Sequence, residues 1–322
     1  MRDEVDLENT RRWAPVFAAR HDRLILFLPL VALIAAPLLW RYEPAALAVP
    51  AAWLVWLGMP HGGADDAVAK PMMRPIFGRL WLPVFAGAYL LVSASVLVGV
   101  IFAPVVSVAL FVTVAAVHFG LEDTNARWAG DSRRRDAVEV VAQGGVPFFL
   151  PLLLHPDRTG AFLSLLTGGV WPRAALTALG FVWLAAFAAF WGRRIYPLLA
   201  RRDWVPLRAA APVAALTLSF VFLPPLAAFT VYFLTVHVPR HTAELARRHA
   251  PTDRVRAWSF ARRAGIAMTL LVLPLAFIAF VVLHGPPAER FVLVTFWGIW
   301  ALTVPHMMLY CADRRWGNGR LG

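Results

Sequence analysis

Ten long apolar runs constrain this chain more than any other feature of its sequence. Each run is about 15–22 residues long, and charged residues or Pro and Gly separate it from the next. Hydrocarbon offers no partner for backbone N–H and C=O groups, so segments of this length in a membrane must be helices, which satisfy those groups internally. A membrane β-barrel would need shorter segments of alternating hydrophobicity. The predicted spans are 24–40, 44–62, 81–102, 104–122, 137–154, 174–192, 209–223, 225–241, 264–283 and 291–310.

The composition agrees with lipid as the solvent for most of the chain. Hydrophobic residues make up 60% of it and charged residues 16%, and the mean hydropathy is +0.63, which excludes an ordinary soluble domain. The predicted fold is all-α: a polytopic membrane helical bundle of about ten transmembrane helices in a single domain, 1–322. Residues 24–310 form the bundle, between a cytoplasmic segment, 1–23, and a cytoplasmic tail, 311–322. Because 209–223 is short and Pro and Gly interrupt 137–154, eight spans plus re-entrant pieces is the alternative.

The distribution of basic residues predicts the orientation of the bundle. Alternating the sides from a cytoplasmic N-terminus places 27 of the 31 Lys and Arg on the cytoplasmic side. This asymmetry follows the positive-inside rule, so the net charge of +12 is interpreted as a topology signal and not as a nucleic-acid-binding surface. We predict a multi-pass protein of the inner (plasma) membrane with both termini in the cytoplasm. The polar connection 242–263 is predicted to form a short cytoplasmic helix against anionic lipid.

Histidine is the residue type that indicates chemistry in this chain. The single cysteine, Cys311, excludes an intramolecular disulfide and a cysteine-based metal cluster, so a metal would need histidine or carboxylate ligands. His21 and His249 lie in basic loops and need no functional explanation. His155 and His284 end helices on the outer side, where polar tips commonly face headgroups. The other five histidines lie near the cytoplasmic ends of their spans, where ionisable residues indicate function: His61, His118, His237, His241 and His306.

Two of these histidines share a helical face by their spacing. His237 and His241 are four residues apart in HVPRH, and residues four apart lie one turn above each other. They can therefore present two imidazoles to one metal ion, as the HExxH helix does for zinc. Pro239 lies between them and is expected to distort that turn. The alternative for an isolated HxxxH pair is two separately satisfied histidines.

A carboxylate follows two other histidines at the same four-residue step. Asp65 follows His61 in HGGAD, and Glu122 follows His118 in HFGLE. A carboxylate that accepts a hydrogen bond from the far N–H of a ligating imidazole fixes its tautomer, so both are candidate partners of metal ligands. The alternative is that these carboxylates only mark the ends of spans. Nearby glycines would allow the close helix packing that a shared metal requires: Gly62, Gly63 and Gly120.

The ligand types leave several metals and functions open. Imidazoles without a thiolate suit iron, zinc or copper and argue against magnesium or calcium. The membrane setting favours iron and oxygen chemistry on an apolar substrate, and a diiron site that uses Asp65 or Glu122 is a variant. Rival functions are a haem or quinone protein that uses His118 and His237, and a proton-coupled transporter. A transporter predicts polar groups strung across the bilayer, whereas these gather at one end of the spans.

Five sequence blocks place the candidate histidines and carboxylates in a characteristic order. They are PHGGADD (60–66), HFGLED (118–123), GGVPFFLPLLLHP (144–156), HVPRH (237–241) and TVPHMM (303–308). In these blocks the chain resembles the bacterial and archaeal Brp/Blh family of membrane β-carotene 15,15'-dioxygenases. The resemblance implies cleavage of the central double bond of β-carotene with O2 to give two molecules of retinal. It implies one Fe(II) held by four histidines, which by motif are His61, His118, His237 and His241. It also implies a carotenoid substrate, membrane lipid and a rhodopsin that receives the retinal.

Overall fold

The structure, a computed structural model, describes residues 19–41, 48–54, 65–125, 137–249 and 272–316. These residues form helices joined by short turns, and no strand occurs among them. The all-α prediction is therefore confirmed for the described part of the chain. The helices are α1 (Leu28–Arg41), α2 (Ala48–Trp53), α3 (Asp65–Phe77), α4 (Trp81–Phe102), α5 (Pro104–Asn125), α6 (Ala137–Leu154), α7 (Pro156–Thr167), α8 (Arg173–Arg201), α9 (Val205–Ala209), α10 (Ala211–Phe222), α11 (Pro225–Tyr232), α12 (Val238–His249), α13 (Val272–Val282) and α14 (Pro287–Trp316), with a 3-10 turn at Gly78–Leu80 and a π-helix at Phe233–His237.

Six helical segments among the described residues are long and apolar enough to cross a membrane, and two apolar helices, α10 and α13, are shorter. The prediction of about ten spans is therefore not confirmed. The predicted span 44–62 lies mostly outside the described residues, and 264–283 is described only from residue 272. The helix predicted within 242–263 is confirmed as far as His249. The six segments are Ala19–Arg41, Asp65–Phe102, Pro104–Asp123, Ala137–Leu154, Arg173–Arg201 and Pro287–Asp313.

Helix boundaries follow the sequence prediction closely where an apolar run ends at a clear break. α4 and α6 begin and end at the predicted residues, 81–102 and 137–154. The connection 63–80, which the charge pattern places between two spans, is itself helical from Asp65 and runs through the 3-10 turn into α4. Asp65 and Asp66 occupy the first turn of α3, where negative charge stabilises the N-terminus of a helix.

The chain divides into two compact units. In the first unit, α3, α4 and α14 pack on one another. Ala69, Phe85 and Tyr89 form a buried apolar cluster there, with Leu302 and Leu309 against it. This packing places the start of α3, which carries a candidate carboxylate, beside α14, which carries a candidate histidine. The first unit comprises residues 1–10, 51–111 and 241–322, and the second comprises 11–50 and 112–240.

In the second unit, α6 packs along α8, and α10 packs against both α1 and α6. Two tryptophans donate hydrogen bonds across helix contacts. The indole N–H of Trp183 lies 3.0 Å from the Val141 carbonyl oxygen, and that of Trp40 lies 2.8 Å from the Phe222 carbonyl oxygen. A buried indole N–H needs such a partner, so these bonds fix which faces of the helices meet.

The long helices expose large apolar side chains on their outer faces. An aqueous surface of this kind would be unstable, whereas lipid is as apolar as these side chains. The chain is therefore a membrane protein. Examples from both units are Leu30, Ile34, Leu91, Val182 and Phe277.

Candidate metal centre

Two predicted metal ligands meet in the second unit. His118 lies in α5 and His237 ends the π-helix, and both are buried, with exposed fractions of 3% and 0%. Their ring centroids are 5.0 Å apart and their planes are inclined at 75°. Two imidazoles that bind one metal ion at about 2.1 Å have ring centroids about 5 Å apart. The pair therefore fits a shared metal ion by donor type and by spacing.

Aromatic rings surround this histidine pair. The ring centroid of Phe119 is 4.3 Å from that of His237, and the centroid of Phe233 is 5.3 Å from it. Phe148 stacks on Phe119 at 5.5 Å, and Phe229 stacks on Phe233 at 5.9 Å. Such surroundings keep water away from the imidazoles and suit an apolar ligand. Sequence alone could not distinguish these rings among the 22 phenylalanines.

Glycines bring the backbones of α5 and α6 together beside His118. A Cβ on Gly144 would lie 2.8 Å from the Gly120 Cα and would overlap the carbonyl oxygen of Ala116. A Cβ on Gly120 would in turn overlap the backbone of α6. The predicted role of Gly120 in close helix packing is confirmed, and Gly144 shares it. The other two glycines of that prediction lie outside the described residues: Gly62 and Gly63.

The helix that carries His237 widens just before it. Residues 233–237 form a π-helix, in which the Val238 N–H donates to the Phe233 carbonyl oxygen five residues back. Pro239 accounts for this geometry, because a proline ring within a regular α-helix clashes with the carbonyl group four residues earlier. The expectation that Pro239 distorts the turn between His237 and His241 is wrong in its position, because the distorted turn precedes His237 and Val238–His249 is α-helical.

His21 has a structural role that the sequence interpretation missed. The assignment of His21 to a basic loop is wrong, since it lies in a helical segment and is only 7% exposed. Its Nε2 donates to the carbonyl oxygen of Thr235 at 2.6 Å. That carbonyl lies four residues before Pro239, which has no N–H to offer it. His21 thus satisfies a backbone group that the proline leaves without its helical donor.

A buried ionic network joins α5 to the helix of His237. The Tyr232 hydroxyl donates to Asp123 Oδ2 at 2.7 Å. Arg240 Nη1 donates to the Asp123 carbonyl oxygen at 3.4 Å and lies 3.8 Å from Asp123 Oδ1. Arg240 Nη2 is paired with Asp22 Oδ1 at 2.8 Å. Because buried charges are costly unless they are paired and hydrogen-bonded, this network restricts the helices that contribute to it.

The position of the network relates it to the histidine pair. Tyr232 and Arg240 lie on either side of His237 along the chain, and Asp123 lies five residues after His118. The network therefore holds the two helices that carry the paired imidazoles. The charge pattern had assigned Arg240 to a cytoplasmic connection, but its side chain is buried. A basic residue between two candidate histidines was the signal that could have indicated this role.

A second pair of buried histidines lies in the first unit. The ring centroids of His241 and His306 are 5.1 Å apart, again the spacing of imidazoles that can share a metal. His306 Nδ1 lies 2.8 and 3.0 Å from the two carboxylate oxygens of Asp65. The sequence placed His306 at the same depth as the other histidines but did not predict this partner. His61, the predicted partner of Asp65, lies outside the described residues.

The complete ligand set stays a prediction. Glu122 is buried on α5, and its pairing with His118 is not tested by the contacts of the structure. Across the described ranges, no group of three or more His, Cys, Asp or Glu side chains is arranged to hold a metal ion. Two pairs of buried imidazoles, one of them backed by a carboxylate, nevertheless provide the nitrogen donors that iron accepts.

Comparison with known proteins identifies the family of the chain. The family model described as Beta-carotene 15,15'-dioxygenase matches residues 52–312. The chain belongs to this family. The match begins before His61 and ends after His306, so it includes all five candidate histidines of this β-carotene 15,15'-dioxygenase family member.

Two relatives of this family member are named for the same reaction. A Halobacterium salinarum protein named "Probable beta-carotene 15,15'-dioxygenase Blh" is 32% identical over 222 residues, which is 63% of this chain and 61% of that protein's length. A protein of uncultured marine bacterium 66A03, named "Beta-carotene 15,15'-dioxygenase", is 25% identical over 261 residues, or 80% of this chain and 90% of the relative. No solved structure matches the chain.

Proposed function

We propose that this protein is an iron-dependent oxygenase that cleaves the central 15,15' double bond of β-carotene with O2 to give two molecules of retinal. The observation that carries the proposal is the buried pair of His118 and His237 within a chain of this family. Their spacing suits a shared metal, and their aromatic surroundings suit a polyene.

The proposed ligands of the iron are His61, His118, His237 and His241. Bound iron would supply the chemistry that activates O2 for attack on a double bond. The protein's own side chains hold the imidazoles in place, and the Asp123 network restrains the helices of His118 and His237. We propose Glu122 and Asp65 as carboxylate partners that orient ligating imidazoles.

The aromatic side chains have a second role in this proposal. Phe119, Phe148 and Phe229 place apolar surface beside His237. Burial of a carotenoid against such surface would stabilise the complex by about 25 cal/mol per Å2 of apolar area removed from water. The substrate resides in lipid, so we propose that it enters from the bilayer between helices.

The cellular setting follows from the charge pattern and from the product. We propose a location in the plasma membrane with both termini in the cytoplasm, supported by the excess of Lys and Arg in one set of connections. Retinal is an apolar aldehyde that partitions into lipid. A rhodopsin in the same membrane is the proposed recipient.

The test is expression of the full chain in bacteria that accumulate β-carotene. Carotenoid and retinal are quantified in the cells, and metal is measured in the purified protein. The wild type should consume carotenoid, form retinal and retain iron, whereas His61→Ala and His237→Ala should lose retinal formation. His284→Ala is the matched control, because His284 is exposed in the turn between α13 and α14. Unchanged carotenoid together with a wild-type protein free of metal would contradict the proposal and favour the transporter.

A further inference from the structure

The first span of the chain has no role assigned by the family resemblance. It runs from Ala19 to Arg41 and lies before residues 52–312, which the family model matches. Its α1 part packs along α10, in the second unit. Hydrogen bonds near both of its ends hold the part of the chain that leads to His237. The first span is therefore in place to act on the site.

Two consecutive residues near the start of the first span hold the chain on both sides of His237. His21 Nε2 donates to the Thr235 carbonyl oxygen at 2.6 Å, two residues before His237. Asp22 Oδ1 accepts from Arg240 Nη2 at 2.8 Å, three residues after it. Neither His21 nor Asp22 belongs to the helix that carries His237. The two contacts therefore restrain that helix from outside.

The other end of the first span holds the break that precedes this helix. The Trp40 indole N–H donates to the Phe222 carbonyl oxygen at 2.8 Å. Phe222 is the last residue of α10, Leu223 is extended, and Pro224 follows. The last carbonyl groups of a helix have no partner within it, so Trp40 supplies a donor where α10 has ended. One span is thus bonded at both irregular points between α10 and His237, the break and the π-helix.

These irregular points are where the helix of His237 can change its direction. A histidine ring lies about 6 Å from the axis of its helix, so a turn of about 10° moves the ring by about 1 Å. The ring centroids of His237 and His118 are only 5.0 Å apart. A shift of about 1 Å would change this spacing substantially, and misplacement of that size can cost about 100-fold in rate.

We propose that the first span is a positioning element for His237, and that His21 and Asp22 are the positioning residues through which it acts. By holding the chain on both sides of His237, they fix the direction of its ring toward His118. The proposal deepens the proposed function, and only its kinetic readout rests on that function.

The test compares hydrogen exchange and kinetics of the full-length protein in detergent. In metal-free protein, His21→Leu should raise the exchange rate of the amides of 233–238 by about 5–10-fold, the effect of losing one hydrogen bond, and leave α4 as in the wild type. In metal-loaded protein it should lower kcat for β-carotene by about 10–100-fold at unchanged KM. His21→Gln can still donate to a carbonyl group and should recover most of both losses. Arg20→Gln, at an exposed residue of the same turn, is the matched control and should behave as the wild type does.

Asp22→Asn keeps the test decisive if His21→Leu does not fold. It removes the charge that pairs with Arg240 at nearly constant shape, and it should produce the same local and kinetic changes to a smaller degree. An unchanged kcat per folded chain would overturn the proposal, whether exchange is unchanged or faster across all helices, since a role in stability alone predicts that result. If the wild type forms no retinal, the proposed function fails. The exchange rates of 233–238 then still decide whether the first span holds the helix of His237.

Discussion

Replacement of Gly144 by alanine should separate the two helices that meet beside His118. The new Cβ would lie 2.8 Å from the Gly120 Cα, whereas ordinary contact begins at 3.4 Å, and the atoms involved belong to backbone and cannot rotate away. One helix must therefore move by more than about 0.6 Å. Functional constellations tolerate misplacement of about 0.5 Å, and a shift of about 1 Å can cost about 100-fold in rate.

We expect Gly144→Ala to lower retinal formation per purified chain by about 10–100-fold and to lower the iron content. The assay measures retinal from β-carotene in detergent micelles, with iron determined on the same sample. Gly192→Ala is the matched control, because Gly192 lies in the middle of α8 and its Cβ would meet nothing within 4 Å. That control should keep full activity and gain up to about 1 kcal/mol of helix stability. Retention of more than half of the wild-type activity and iron by Gly144→Ala would refute the reasoning.

Three other outcomes test separate features of the protein. Tyr232→Phe removes the hydroxyl that donates to buried Asp123 and should lower the free energy of unfolding in detergent by about 1.5–3 kcal/mol. Tyr196→Phe, at an exposed tyrosine, is the control and should leave the free energy of unfolding unchanged. Equal stability of the two variants would contradict a stabilising role of the Asp123 network. A membrane-impermeant maleimide should label exposed Cys311 in inverted vesicles but not in intact cells. In a Cys311→Ser background, His284→Cys should show the reverse pattern. Labelling of Cys311 in intact cells would contradict the proposed orientation. Removal of the metal by a chelator should abolish retinal formation, and Fe(II) but not Zn(II) should restore it; restoration by zinc would contradict iron-dependent oxygen chemistry.

The sequence predicted the fold where hydrophobicity alone decides it. α4 and α6 could be placed to the residue because apolar runs end there at charges or at Pro and Gly. The helix from Asp65 into α4 was not predicted, because Lys70, Arg74 and Arg79 interrupt its hydropathy without interrupting its backbone hydrogen bonds. Charge decides where a helix leaves lipid, and helix formation itself continues into the polar segment.

The candidate metal-binding histidines could be predicted from the sequence, whereas most of the residues that contact them could not. Spacing and depth singled out His118 and His237, which the fold brings together. Contacts such as Asp65 with His306 join residues far apart in the chain, and no local periodicity encodes them. His21 was misassigned for the same reason, since its partner is a carbonyl group that a proline elsewhere in the chain leaves exposed.

The π-helix makes the geometry of the site depend on the number of residues between Tyr232 and His237. Tyr232 bonds Asp123 while His237 meets His118, and five residues separate the two contacts on each helix. Deletion of one residue from 233–236 would close the wide turn into a regular α-helix and rotate all that follows by about 100°. No loop lies nearby to absorb such a change, because helix continues on both sides. Insertions and deletions tolerated elsewhere in the chain should therefore be lethal to activity here, even where every histidine is kept.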